Sequence, residues 1–178
     1  MDKIYKGDYK ITSVYGNRKL DNGDIRFHYG EDHVGIGDKN VVAPTSGKII
    51  SSTLVKKQYD ANGKIVDDTW EWGNYVKMDD LNGFYLFFCH LASRKVKVGN
   101  KIEEGQIIGI EGNTGYSFGS HCHFEVRRKS DGKRIDPREY FKILADWELK
   151  NYKAVTQKRF NFDENTMKLF STHPYPHA

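Results

Sequence analysis

Apolar residues in this chain come in short runs, some alternating with polar residues and some continuous, broken by turn-forming residues. The runs "YKITSVYG", "KNVVAPTSGKIISSTLV", "NYVKMDD", "GFYLFFCHLA", "GQIIGIEG" and "HCHFEVRR" read as β-strands. Asn62-Gly63, Asn82-Gly83 and Asp131-Gly132 lie between or beside such runs. These dipeptides tolerate the left-handed backbone of tight hairpin turns, so the strands are expected to pair antiparallel. The polar segment "KKQYDANGKIVDDTWEWG" interrupts two strands and reads as a long surface hairpin, with Trp70 and Trp72 either core residues or the wall of a groove.

The pattern changes after "RIDPREYF". "KILADWELKNYKAV" has the mixed spacing of a short helix, and "NFDENTMKLF" reads as a second one, with Asp163 as N-cap and Met167 and Phe170 on one side. The prolines of "STHPYPHA" prevent further helix. A boundary therefore falls near residue 143. Residues 1–142 form the main domain, and 143–178 a small helical extension expected to contact a partner or pack on the core.

Length and composition narrow the picture. The 178 residues, 38% hydrophobic and 29% charged, suit one folded domain with a small appendage. A net charge of +4 favours approach to a polyanion, of which the bacterial wall is one. No contiguous basic stripe with interleaved aromatics points to nucleic acid. The start, "MDKIYKGDYKITSVYG", has the apolar run of neither a signal peptide nor a membrane anchor, so no membrane insertion is expected, and the chain is expected to be made in the cytoplasm. Cys89 and Cys122 are too few for a disulfide framework and read as packed thiols.

The candidate chemistry lies among the seven histidines. In "HCHFEV", His121 and His123 leave one face of a strand and can share a metal, or one can bind it while the other works beside it. Taken alone, such a pair is more often an exposed strand face. In "HYGEDHVGIG", both His28 and His33 begin a His-x-Gly phrase, but only the first ends in a carboxylate, Asp32. Gly30 is expected to let a loop curl so that His28 and Asp32 converge. Two nitrogens and one carboxylate oxygen leave a fourth tetrahedral position open, as at a catalytic rather than a structural zinc.

Together, "YGNR", "FHYGED", "VVAPTSGKI", "WGNYVKM", "CHLA", "VKVGNKIEEGQIIGIEGNTGYSFGSHCHFEV" and "IDPREYF" resemble, in order and approximate spacing, the lysostaphin-like zinc metalloendopeptidases, from about residue 12 to 141. That resemblance implies a mainly β fold of two packed antiparallel sheets with an open groove and short C-terminal helices. It implies one zinc held by His28, Asp32 and His123, with His90 and His121 as the catalytic pair, and leaves His33 a neighbour. The implied substrate is a stem or cross-bridge peptide of bacterial peptidoglycan. Zinc lowers the pKa of bound water from ~15.7 toward ~7. A neutral imidazole at His121 is then placed to take the proton, and His90 to donate a hydrogen bond to the oxyanion or leaving amine. The groove walls are expected around Tyr59 to Trp72 and Tyr116 to Ser120, stretches that vary in this family.

Two other readings stand beside it. One is a catalytically inactive homologue that binds wall or regulates another enzyme, although all five polar residues are present. The other is a biotin- or lipoyl-carrying module, suggested by "VGNKIEEGQIIG". There Lys77 precedes that phrase instead of following it, and the histidine cluster has no purpose. The absence of a signal sequence leads to the expectation of a phage endolysin or virion-associated wall hydrolase.

Overall fold

The computed structural model describes residues 3–171 apart from Gln58, Val66 and Asp67. His173, His177 and the proline-rich end lie outside the described residues. Thirteen strands are described: β1 (Tyr9–Ser13), β2 (Gly16–Lys19), β3 (Ile25–His28), β4 (Glu31–Gly35), β5 (Asn40–Val42), β6 (Gly47–Leu54), β7 (Asn74–Asp79), β8 (Phe84–Cys89), β9 (Ser93–Arg94), β10 (Lys101–Ile102), β11 (Ile107–Ile110), β12 (Cys122–Arg128) and β13 (Arg134–Ile135). A short 3-10 turn, Asp68–Trp72, precedes β7, and one helix, α1 (Pro137–Ser171), closes the described chain.

An eight-stranded sheet has the order β1-β4-β12-β8-β7-β6-β10, with β13 paired to β12. A second sheet, β5-β11-β9, and a β2-β3 hairpin complete the β-structure, with every pairing antiparallel. Strand alternation explains the core. Val76 and Met78 of β7, Leu86 and Phe88 of β8, and Phe124 and Val126 of β12 are fully buried. The register pairs Val76 with Phe88, Met78 with Leu86, and Phe88 with Phe124, so these side chains share one face. Tyr140 and Phe141, at the start of α1, meet Phe84 and Phe124 through ring contacts of 5.3 and 5.8 Å. The Asn82-Gly83 turn joins β7 to β8, with Leu81 and Gly83 in the left-handed region, and Asp80 accepts bonds from the Asn82 and Phe84 amides.

The C-terminal segment differs from the sequence expectation of two short helices. α1 runs unbroken through Asp163, the expected N-cap. No Gly or Pro occurs between Arg138 and Ser171, so nothing in the backbone chemistry stops it. The chain divides into two compact units, Met1–Phe141 and Lys142–Ala178. No helix among the described residues is long and apolar enough to cross a membrane.

Candidate metal centre

The antiparallel ladder between β4 and β12 pairs Asp32 with His123, which puts both side chains on the face opposite Phe124. His28 ends β3, one turn of chain before β4. Its Nε2 lies 3.0 Å from His123 Nδ1 and 3.2 Å from Asp32 Oδ1, and His123 Nδ1 lies 2.9 Å from that same oxygen. Three ligand atoms thus converge from strands 95 residues apart. Bonds of ~2.0–2.1 Å in tetrahedral geometry put ligand atoms about 3.3 Å apart, so zinc fits this triangle with an outward shift of a few tenths of an ångström.

The surrounding bonds set the tautomers. His28 Nδ1 is 3.0 Å from the Val14 carbonyl oxygen, which can only accept, so Nδ1 carries the proton and the Nε2 lone pair faces the triangle. His123 Nε2 faces the Glu125 carboxylate at 3.9 Å, on the side away from Asp32. Burial alone would raise the pKa of Asp32, but the adjoining His123 and His28 rings outweigh it and hold the carboxyl below the ordinary range. Burial would lower His123, and the Asp32 and Glu125 carboxylates reverse that, raising it to about 9. A metal ion must therefore displace a proton there.

His33 takes no part. It and Glu31 point to the opposite face of β4, each 1% exposed, with His33 Nε2 3.2 Å from Glu31 Oε2. The expected role of Gly30 changes. His28 and Asp32 come from strands instead of a loop, and Gly30 has no left-handed backbone. A Cβ at Gly30 would lie 2.5 Å from the Phe124 carbonyl oxygen and 2.8 Å from the His123 ring, so glycine is needed for close approach.

His90 and His121 stand beside the triangle with their ring centroids 4.7 Å apart, and His121 Nε2 is 3.5 Å from Asp32 Oδ1. His90 follows β8 with a φ of 63°, a strained value for a side chain of this size. Its Nδ1 donates to the Thr114 carbonyl at 2.9 Å, and His121 Nδ1 donates to that of Gly119 at 2.8 Å. Both Nε2 atoms therefore present lone pairs. Burial, then the nearby His121 and His123, pushes His90 down to about 4.

The groove around these residues has Glu71 and Trp72 on one wall, with Tyr116 to Gly119 also lining it. Tyr59, expected on a wall, does not line it. Sequence reasoning missed Arg18, Arg26, Phe27, Tyr29 and Arg134, which do. The signal was present in Asn22-Gly23, a hairpin turn between β2 and β3 with Gly23 at a φ of 90°. Cys89 and Cys122 are free and buried, as expected.

Comparison with known proteins places the chain in a family. Residues 26–137 match peptidase family M23, and the chain belongs to that family. It is 35% identical over 142 residues to lysostaphin of Staphylococcus staphylolyticus, an alignment covering 76% of this chain and 26% of that protein. It is 30% identical over 118 residues to the peptidoglycan DD-endopeptidase ShyC of Vibrio cholerae, covering 65% of this chain and 24% of the relative. The chain thus spans about a quarter of the length of these curated relatives. Among solved structures, the catalytic domain of lysostaphin from Staphylococcus simulans superposes with a TM-score of 0.59 at 29% identity, covering 75% of this chain and 92% of that one. The catalytic domain of the prophage-encoded M23 protein EnpA from Enterococcus faecalis gives 0.57 at 25% identity, covering 72% and 88%.

Proposed function

We propose that this chain is a zinc-dependent endopeptidase that hydrolyses peptide bonds in the stem or cross-bridge peptides of bacterial peptidoglycan. The observation that carries the reading is the convergence of His28 Nε2, Asp32 Oδ1 and His123 Nδ1 at the floor of an open groove, with two further histidines beside them. The names of its relatives, lysostaphin and a peptidoglycan DD-endopeptidase, support the substrate class. Residues 1–142 are the part of the chain to which the activity is assigned.

In this reading His28, Asp32 and His123 hold the ion. Zinc, when bound, supplies Lewis acidity toward a carbonyl oxygen and acidifies water. The lone pair on His121 Nε2, on the Asp32 side, takes the proton of the attacking water. His90 Nε2 likewise bears a lone pair, so His90 donates to an oxyanion or leaving amine only once it has gained a second proton. The proton taken up by His121 supplies it when passed on to His90, whose ring centroid lies 4.7 Å away. Burial of His90 makes its protonated form a strong acid, suited to passing that proton to the leaving amine.

Digestion of purified peptidoglycans of different cross-bridge type, with mass analysis of the fragments, tests the reading. New peptide amino ends are expected. Glycan reducing ends released without new amino groups would overturn it. The proposed setting is phage-borne lysis, in line with the prophage-encoded EnpA, and is checked by searching purified virions and phage lysates for peptides of this chain.

A further inference from the structure

The β2-β3 hairpin contributes His28 to the metal centre, and it also places two arginines on the same face as that ligand. Gly16 pairs with His28 across the ladder and Arg18 with Arg26. Directly paired residues of an antiparallel ladder, and alternate residues of one strand, project from the same face. Arg18 and Arg26 therefore leave the hairpin on the side where His28 meets Asp32 and His123, and both line the groove. One terminal nitrogen of Arg18 lies 3.6 Å from Asp32 Oδ2, and its Nε is buried without a partner among the described residues.

Two guanidinium groups directly opposite each other destabilise a hairpin, and this one has strands of only four residues. Its own folding gives no reason for the pair. The other charges in the groove are already matched. Arg134 Nε lies 3.1 Å from Glu125 Oε1, Arg127 also contacts Glu125, and Asp32 belongs to the metal centre. With one terminal nitrogen of Arg18 turned to Asp32, that leaves the rest of the Arg18 guanidinium and Arg26 on one wall and Glu71 on another.

We infer that Arg18 and Arg26 form a carboxylate subsite that selects peptides bearing a free carboxylate beside the scissile amide. The inference rests on the endopeptidase reading and specifies its substrate. In a direct cross-link, D-Ala is joined to the side-chain amino group of diaminopimelate, and the carboxylate on the carbon that bears that nitrogen stays free. It lies two bonds from the scissile nitrogen, so a group reacting at the metal centre carries it to within reach of the hairpin. A planar guanidinium binds such a group through two parallel hydrogen bonds. Internal residues of a glycine bridge offer no carboxylate.

The test uses the zinc-loaded full chain and a D-Ala–diaminopimelate cross-linked peptide dimer. A second dimer is amidated at that one carboxyl, a third at the peptide-terminal D-Ala carboxyl instead, and a pentaglycine-bridged peptide completes the set. kcat/KM and equilibrium binding are measured for each. The free diaminopimelate carboxylate should be preferred over its amide by roughly 10-fold to 100-fold, mostly in KM, whereas terminal amidation should change little. Arg26→Gln should bring that ratio close to one without lowering Tm, because it relieves the repulsion across the hairpin. Arg18→Gln should act in the same direction, with its zinc content checked. Equal cleavage of free and amidated dimers, a preference for pentaglycine, sensitivity to terminal amidation instead, or an unchanged ratio in the Arg26 variant would each overturn the inference. If no peptide is cut at all, the endopeptidase reading fails, and the binding measurements alone decide the subsite: selective binding lost in Arg26→Gln supports it, and equal binding refutes it.

Discussion

The two faces of the β4–β12 ladder carry similar residue types with opposite fates. On the groove face, Asp32 and His123 meet His28 at an open site. On the other, Glu31 and His33 pair with each other in the interior, beside Cys122 and Phe124. A histidine and a carboxylate are present on both sides of the sheet, His123 and Asp32 on one and His33 and Glu31 on the other. Strand alternation, not residue type, decides which pair can reach a metal and which is sealed from it. The buried pair is closed off by Tyr9, stacked on His33 at 5.3 Å, and by Phe124.

The sharpest way to break this contrast is to remove ligands from each face. His28→Ala, Asp32→Ala and His123→Ala should each lose zinc and reduce wall lysis to background, whereas the folded fraction of His33→Ala should keep one zinc per chain. Metal analysis of the four purified proteins decides it, and zinc loss specific to the His33 variant would reverse the assignment of faces. Because the His123 value is raised to about 9 in the metal-free protein, a proton competes with zinc below that pH. Apparent zinc affinity should fall by about tenfold per unit as pH drops below 9, read by competition with a chelator.

A second test separates binding from chemistry on the groove face. His90→Ala and His121→Ala should retain zinc and lose roughly 10²- to 10⁴-fold in turnover. Near-normal lysis by the His121 variant would remove it as the base. On the core face the expected effect moves from activity to stability. Phe124→Ala deletes a fully buried ring packed on Phe88 and Phe141 and should cost about 3–5 kcal/mol in urea unfolding at fixed zinc concentration.

The smallest expected effect concerns Glu111, which accepts bonds from Tyr5 Oη, the Gly35 amide, Lys39 Nζ and Ser120 Oγ at 2.6–2.8 Å. Burial would raise its pKa, and the bonds from Lys39, Ser120, Gly35 and Tyr5 outweigh it and lower it. A depressed folded-state value means the stabilisation is present above the ordinary glutamate pKa of ~4.3 and is lost as pH falls through the folded value. Glu111→Gln should cost about 1–3 kcal/mol at neutral pH and flatten the loss of stability on acidification, measured by Tm against pH.

How much of this could be read in advance follows from the range of the interactions. Strands β6 to β8, β11 and β12 were legible because their apolar runs are long relative to their turns and the Asn-Gly signals are local. The hairpin carrying Arg18 and Arg26 has little sequence signature beyond its Asn22-Gly23 turn, because its strands are short and Ile25 is 73% exposed, leaving no apolar stripe. The single long α1 resembles two short helices in sequence because Asp163 carries a capping residue's chemistry. Capping preference marks where a helix can begin and does not stop one already running.

The chain's own sequence determined the candidate donor set, two imidazoles and one carboxylate oxygen with two further imidazoles to stand beside them, on segments whose alternation commits each residue to one face or the other. It also determined that Gly30 and the Asn-Gly turns would be glycine. Only the tertiary structure decided that Gly30 is needed because the His123 ring passes against it, that the Val14, Thr114 and Gly119 carbonyls set the tautomers of three histidines, and that two arginines face the metal centre. Each of those depends on register and contact between segments far apart in the chain. A one-residue slip in a ladder would send every such side chain to the other face, and no local pattern records which register the packed core selects.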